Sequence, residues 1–570
     1  MQPCPTCRRH DQLARAAGSP AAAKALFKSR LHIVGRRSTV RERGATNAVL
    51  QNLRDVRSRL RSSKMRDSDK IAGGQQTAEK LSANNELRKI SRREAKDRGC
   101  EVLPNDIIIV IVIFFVFFTI AFTSPFGRLD MTAPINQSGL EALLDSSRIG
   151  VLDGGLATYL EDGLNFDLSK GPLWSARLLD EKEEDVSNGK GQKGIFDAHL
   201  HYLQAGAGII GTSTYQASLE SFERAQYDQE SASRIMSKAV DLACEAVNTY
   251  NSGSNAVRPL ISLSLGPYGA MLSNGAEYTG DYRRTFLAES DPQREQQPSI
   301  EEMAAFHQRR IQAFVAQPSW KDVGVLAVET VPRADEALAF RIALENVVKS
   351  HAQRGIALEK KPVYISLAFP DDRRLPWPPL NTGNNNDETD GDVDMDEDDD
   401  EDAADQDGAV QEEMDWLVQI VSDTVVQGQE SQWPISGIGI NCTKPYLLPR
   451  LVERMSASLA TLNRSASEGG CDLERKRSAL GMQKPLLFLY PDGGLVYDPV
   501  RKVWLTPSTA GPYGGDNSAA SWAANLMKLA KRITSSGDAS FPDVWSGVFV
   551  GGCCKSGTDE IRALCQCRSL

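Results

Sequence analysis

Cysteine is sparse in this chain, ten in 570 residues, too few for the disulfide framework of a small secreted fold. Long apolar runs are nearly absent, with one exception at residues 107–122, so a multi-span membrane protein is excluded. Histidine is rarer still: there are six, and only His199 and His201 fall inside a motif. Both sit in a helical pattern rather than at a strand end, so packing or polar contacts are expected of them. Lysine and arginine are missing altogether between residues 387 and 413, where 16 acids accumulate. What is present, 41% hydrophobic and 25% charged side chains, excludes wholesale disorder.

The formal charge of −10 conceals three regions. Residues 1–100 carry 24 basic and 9 acidic side chains and few long apolar ones, which reads as a disordered extension. Cys4 and Cys7 have C-x-x-C spacing, but no second pair follows, so a chance pair is expected. Residues 376–413 read as an acidic, low-complexity, solvated insertion. The remaining body is near average, and no nucleic-acid partner is inferred. The hydrophobic segment 104–124 has a core of only 16 residues at 107–122, short of the roughly 20 that a spanning helix wants. Two readings stand. It anchors the chain with its basic flank in the cytoplasm, or residues 1–130 are an upstream extension that the working protein lacks. Met131 opens a stretch that reads like a natural soluble N-terminus. The second reading is preferred and implies a cytoplasmic location, with anchoring through residues 107–122 as the alternative.

From residue 149 onward, short β-branched runs recur at 149–153, 208–214, 259–265, 323–329, 362–369, 436–442, 485–490 and 545–550. Runs apolar on both faces suit parallel strands covered on both sides. Helical patterns intervene at 197–205, 231–250, 300–316, 333–350, 412–424 and 519–533, and Thr558 can cap a last helix. Eight strands alternating with helices predict an α/β chain forming a (β/α)8 TIM-type barrel over 135–570, a doubly wound sheet being the runner-up.

A barrel carries its chemistry at the C-terminal strand ends. Those ends hold Asp153-Gly154-Gly155, Thr212 to Gln216, Glu329-Thr330, Asn441-Cys442 and Gly551-Gly552-Cys553-Cys554. Cys442, Cys553 and Cys554 can converge there as a three-thiolate metal set with one open position. Buried, inert thiols are the competing reading; strand-end placement favours the metal. Such a set suits a substrate thiol as fourth ligand, hence thiol alkylation rather than hydrolysis.

The chain from about residue 140 onward resembles the homocysteine S-methyltransferase family. The matching stretches are 151–155 (VLDGG), 172–176 (PLWSA), His199 with 202–207 (YLQAGA) and 212–218 (TSTYQAS). They continue with 266–270 (GPYGA), 277–281 (EYTGD), 329–332 (ETVP), 439–442 (GINC), 490–491 (YP) and 551–554 (GGCC). The resemblance implies one zinc ion per chain on Cys442, Cys553 and Cys554, with homocysteine as substrate and no catalytic residue beyond the zinc-activated substrate thiol. It implies that Asp153 and Glu329 hold the substrate ammonium and that backbone at Gly154 and Thr212 meets its carboxylate. GPYGA followed by EYTGDY looks like the branch using a sulfonium donor, S-methylmethionine or S-adenosylmethionine. No folate or cobalamin domain is expected to follow. Trp174, Tyr268, Glu277 and Tyr278 are candidate donor-binding residues, core packing being the alternative for the aromatic three. Departures from the pattern are Gly208, where relatives often carry Asp, the acidic insertion and the N-terminal extension. A selenocysteine or other thiol methyltransferase, and a membrane-tethered barrel without catalysis, are the rival readings.

Overall fold

The computed structural model describes residues 137–569 apart from 181–188, 253–256, 377–399, 424, 465–483, 495, 499–502, 506–517 and 536. The basic extension, the hydrophobic segment 104–124 and the acidic insertion over 377–399 lie outside the described residues. No helix among the described residues is long and apolar enough to cross a membrane.

Eight parallel strands form one sheet: β1 Ile149–Val151, β2 Ile209–Gly211, β3 Leu260–Leu265, β4 Val325–Val331, β5 Val363–Leu367, β6 Gly437–Asn441, β7 Leu486–Tyr490 and β8 Gly547–Val550. Each pairs with its neighbour in chain order, and β8 returns to β1. A parallel bridge between Leu152 and Ile209 joins β1 to β2 and closes the ring. Two backbone hydrogen bonds accompany it, Gly208 N–H to the Val151 carbonyl and Asp153 N–H to the Ile209 carbonyl, both 2.9 Å. Between successive strands lie the helices Lys190–Ala205, Gln229–Asn251, Ile300–Val315, Ala334–Arg354, Asp400–Ser422, Leu448–Arg464 and Ala519–Thr534, and Thr558–Ser569 follows β8. The architecture is the (β/α)8 barrel, and every expected strand is present.

Local chemistry explains the helix starts. Ser299 and Glu302 form a reciprocal capping box, and the Asp228 and Ser518 side chains cap two further helices. Two helices depart from expectation. The one expected at 412–424 begins at Asp400, so the last part of the acidic insertion is helical rather than irregular. The helix Leu448–Arg464 has no counterpart in the sequence reading, although Leu448, Leu451, Val452, Met455 and Leu459 recur at helical spacing and are all buried.

The barrel interior is packed with aromatic rings. Tyr364 and Phe488 stack with centroids 3.8 Å apart, and Phe488 and Phe549 stack at 5.2 Å. Glycine opposite Phe549 and opposite Phe488 leaves the room. A Cβ at Gly150 would sit 2.2 Å from the Phe549 ring, and one at Gly437 2.5 Å from Phe488. Gly150→Ala therefore overpacks the interior and should cost at least about 2 kcal/mol. A lower denaturation midpoint in urea checks this; an unchanged midpoint would show that the rings do not fill the barrel.

Candidate active site at the barrel mouth

The C-terminal strand ends surround a cavity of about 110 Å³ lined by Asp153, Gly154, Trp174, Thr212, Tyr215, Tyr278, Glu329, Thr330, Asn441, Tyr490 and all three strand-end cysteines. Those cysteines are the one group of three His, Cys, Asp or Glu ligands, among the described residues, able to share an ion; their sulfur atoms lie within 4.8 Å of one another. Cys442 and Cys553 are joined as a disulfide, and Cys554 Sγ lies 3.8 Å from Cys442 Sγ. The expected convergence is present, with two of the thiols bonded to each other. A cation can occupy the set only with that bond reduced. Burial pushes the Cys554 thiol up to about 12.

The backbone that delivers the cysteines is held tightly. Gly552 N–H donates to the Asp153 carbonyl at 3.0 Å and Cys553 N–H to the Pro491 carbonyl at 2.8 Å, tying the loop after β8 to the ends of β1 and β7. Gly551 and Gly552 do not take positive φ. What they supply is closeness: a Cβ at Gly551 would lie 2.5 Å from Leu152 Cβ, and one at Gly552 2.3 Å from Ser556 Cβ. Thr330 and Cys442 do take positive φ, 62° and 48°, a costly conformation that persists only where neighbours enforce it. Asn441 enforces the first: its Oδ1 accepts the Thr330 N–H at 2.8 Å and its Nδ2 donates to Thr330 Oγ1 at 2.7 Å.

Two carboxylates share the wall. Asp153 Oδ2 accepts the Gly211 N–H at 2.7 Å. Burial is the largest cause raising the Asp153 carboxyl to about 7, with the Glu329 charge adding to it. Glu329 is held at both oxygens, by Ser264 Oγ and by Tyr490 Oη, the latter at 3.1 Å, and burial raises its pKa. Neither carboxylate makes an ion pair among the described residues, although the Arg310 guanidinium acts on Glu329 from a distance, and a desolvated pair of this kind suits an ammonium ligand. Gly154 lines the same wall, and no hydrogen bond engages its N–H among the described residues.

Two expectations change, those for Thr212 and Tyr268. Thr212 lines the cavity, but its N–H donates to the Ser262 carbonyl at 2.9 Å, the sheet bond that aligns β2 with β3, so it has no backbone donor left for a carboxylate. Tyr268 is not at the cavity: it packs against Tyr282 and Phe306, and its hydroxyl accepts from Arg284 Nε at 3.2 Å. Glu277 is buried close by without lining the cavity. Trp174 and Tyr278 do line it, Trp174 edge-on to Tyr215 and Tyr278 with its hydroxyl 3.9 Å from Cys554 Sγ. Ser264, Tyr364 and Tyr490 had no assigned role in the sequence reading, yet all three line the cavity. Their signal is polarity at positions inside otherwise apolar strands. His199 is fully buried with neither ring nitrogen bonded, and burial lowers it to about 4, while His201 Nδ1 pairs with Tyr159 Oη at 2.9 Å. Packing and polar contact thus describe the two histidines.

The sequence model of the homocysteine S-methyltransferase family matches residues 150–388 and 412–568, and the gap between the two blocks falls in the acidic run. A selenocysteine Se-methyltransferase of Brassica oleracea var. italica is 27% identical over 437 residues, 74% of this chain and 90% of the relative. Homocysteine S-methyltransferase YbgG of Bacillus subtilis (strain 168) is 25% identical over 430 residues, 75% of this chain and 96% of the relative. Among solved structures, the oxidized form of the homocysteine methyltransferase MmuM from Escherichia coli is 22% identical. It aligns with 75% of this chain and 99% of its own at a TM-score of 0.46.

Burial raises the Glu277 carboxyl from 4.5 to about 7. A carboxyl with a raised native pKa opposes folding once it ionises. The opposition is absent below the unfolded pKa, grows as pH rises from about 4 to 7, and is complete above that. Glu277→Gln should therefore be more stable than wild type by about 3 kcal/mol at about pH 8, with the two converging near pH 4. Thermal melts across that range check it.

Proposed function

The chain belongs to the homocysteine S-methyltransferase family and is a methyltransferase, and from that premise we propose that it moves a methyl group from a sulfonium donor to the thiol of homocysteine, giving methionine. The donor class is S-methylmethionine or S-adenosylmethionine. We assign a zinc ion to Cys442, Cys553 and Cys554 with the disulfide reduced. The donor chemistry fits: three soft sulfur ligands within 4.8 Å form the incomplete set that leaves a catalytic zinc open to substrate. When bound, such an ion lowers the pKa of a thiol ligand and offers it as a thiolate at neutral pH.

The rest of the work falls to the protein's own groups. Asp153 and Glu329 receive the substrate ammonium, and its arrival favours ionisation of carboxyls that burial otherwise opposes. Ser264 and Tyr490 fix the orientation of Glu329 before substrate binds. The Gly154 N–H is available for the substrate carboxylate. Once the acceptor thiol has given up its proton to solvent, methyl transfer forms a carbon–sulfur bond to the resulting thiolate and breaks one in the donor, whose sulfur keeps the electron pair and becomes neutral. Charge is thus cancelled rather than created, and no general base is required, consistent with two histidines that only pack or bridge.

The observation that carries this reading is the convergence of three cysteine sulfurs and two desolvated carboxylates on one cavity. The test compares full-length wild type with Cys553→Ala after reduction, measuring zinc content and methionine formation with selenocysteine as a competing acceptor. Wild type should hold about one zinc per chain and prefer homocysteine, and the variant should lose both metal and at least about a hundredfold in rate. Active metal-free wild type, or an unimpaired variant, would refute the mechanism.

A further inference from the structure

Glu277 is left without a task by the chemistry above. It sits on the one-turn helix Ala276–Thr279 and is 7% exposed. Its Oε2 makes no hydrogen bond, and no ion pair engages it among the described residues. It immediately precedes Tyr278 on the same turn, and Tyr278 lines the cavity. A buried carboxylate without a partner is expensive to ionise, and a free loop would relax it into water.

This loop is not free. Gly280 N–H closes on the Ala276 carbonyl at 2.7 Å, and the Gly280 carbonyl accepts from Arg333 Nη1 at 2.9 Å. Gln297 binds Asp281 Oδ1 at 2.7 Å and accepts the Tyr282 N–H at 2.9 Å. The Tyr282 hydroxyl donates to buried Glu336, which also accepts from Tyr268 N–H at 2.5 Å and contacts His307 Nε2 at 2.8 Å. The segment 266–270 presses on the turn so closely that a Cβ at Gly269 would lie 2.8 Å from Glu277 N. Four hydrogen bonds from Arg333, Gln297 and Glu336 hold this turn and its unpaired carboxylate beside the cavity.

We propose that Glu277 is the counter-charge for the cationic methyl donor, the residue that makes the site select a sulfonium over a neutral thioether. This rests on the sulfonium reading above. A sulfonium has no N–H or O–H to donate, so it asks for unpaired negative charge rather than for a hydrogen-bond acceptor in register. Glu277 offers that charge from the position next to the cavity-lining Tyr278. The cation disappears as the methyl group leaves, so Glu277 favours bound donor over the transition state. Its contribution is to donor affinity and not to the chemical step.

That signature separates recognition from scaffolding. In steady-state kinetics of the full-length zinc-loaded enzyme with S-methylmethionine, Glu277→Gln should raise the donor KM at least about tenfold. It should leave kcat undiminished and the homocysteine KM within about twofold. Methionine, the neutral thioether counterpart, should inhibit wild type and variant equally, and Glu277→Asp should recover part of the donor affinity. A donor KM unchanged in Glu277→Gln, or a variant in which kcat and both KM values deteriorate together, overturns the proposal and leaves the sulfonium reading standing. A wild-type enzyme inactive with both sulfonium donors overturns that reading and this proposal with it.

Discussion

Closure of the parallel ring is the constraint on which everything else depends. Eight parallel strands must all present their carboxyl ends at the same rim, and the Leu152–Ile209 bridge makes that rim continuous. Residues as far apart in sequence as Asp153 and Cys554 thereby become neighbours around one cavity. The aromatic stack of Tyr364, Phe488 and Phe549 fills the space inside the ring, and glycines opposite the two phenylalanines permit it. A packed barrel interior confines ligands to the mouth.

The mouth collects features that a stable fold would otherwise avoid. Thr330 and Cys442 have left-handed backbone, and Asp153, Glu329 and Glu277 are desolvated. Three of them are held by neighbours whose purpose is geometric: Asn441 for Thr330, Ser264 and Tyr490 for Glu329, and the Arg333–Gln297–Glu336 cluster for the turn that bears Glu277. Strain and buried charge of this kind are compensated by the surrounding structure and ready for a ligand to relieve. On the proposed reading, an ammonium would relieve the Asp153–Glu329 pair, a cationic donor would relieve Glu277, and the methyl group would pass from that donor to the acceptor thiol.

The eight strands are legible in the sequence because strands covered on both faces read as continuous apolar runs, and the residues that end them are chemically conspicuous. The three cysteines follow from that placement. Other features depend on facts that periodicity does not carry. Thr212 loses its N–H to the β2–β3 register, which no motif encodes. Tyr268 and Tyr278 are equivalent as aromatic residues in motifs, but one packs on Phe306 and the other faces Cys554. The helix Asp400–Ser422 is obscured by an acidic composition that resembles a solvated loop. Ser264 and Tyr490 are visible only once Glu329 is known to need holding.

The central claim is that the three cysteines hold a metal whose open position receives the substrate thiol, and X-ray absorption at the zinc edge addresses it without reference to turnover. On reduced full-length protein, the expected first shell contains three sulfur neighbours at about 2.3 Å. Adding homocysteine should bring a fourth sulfur into that shell. A shell of nitrogen and oxygen alone, or a sulfur count that homocysteine leaves at three, would contradict it.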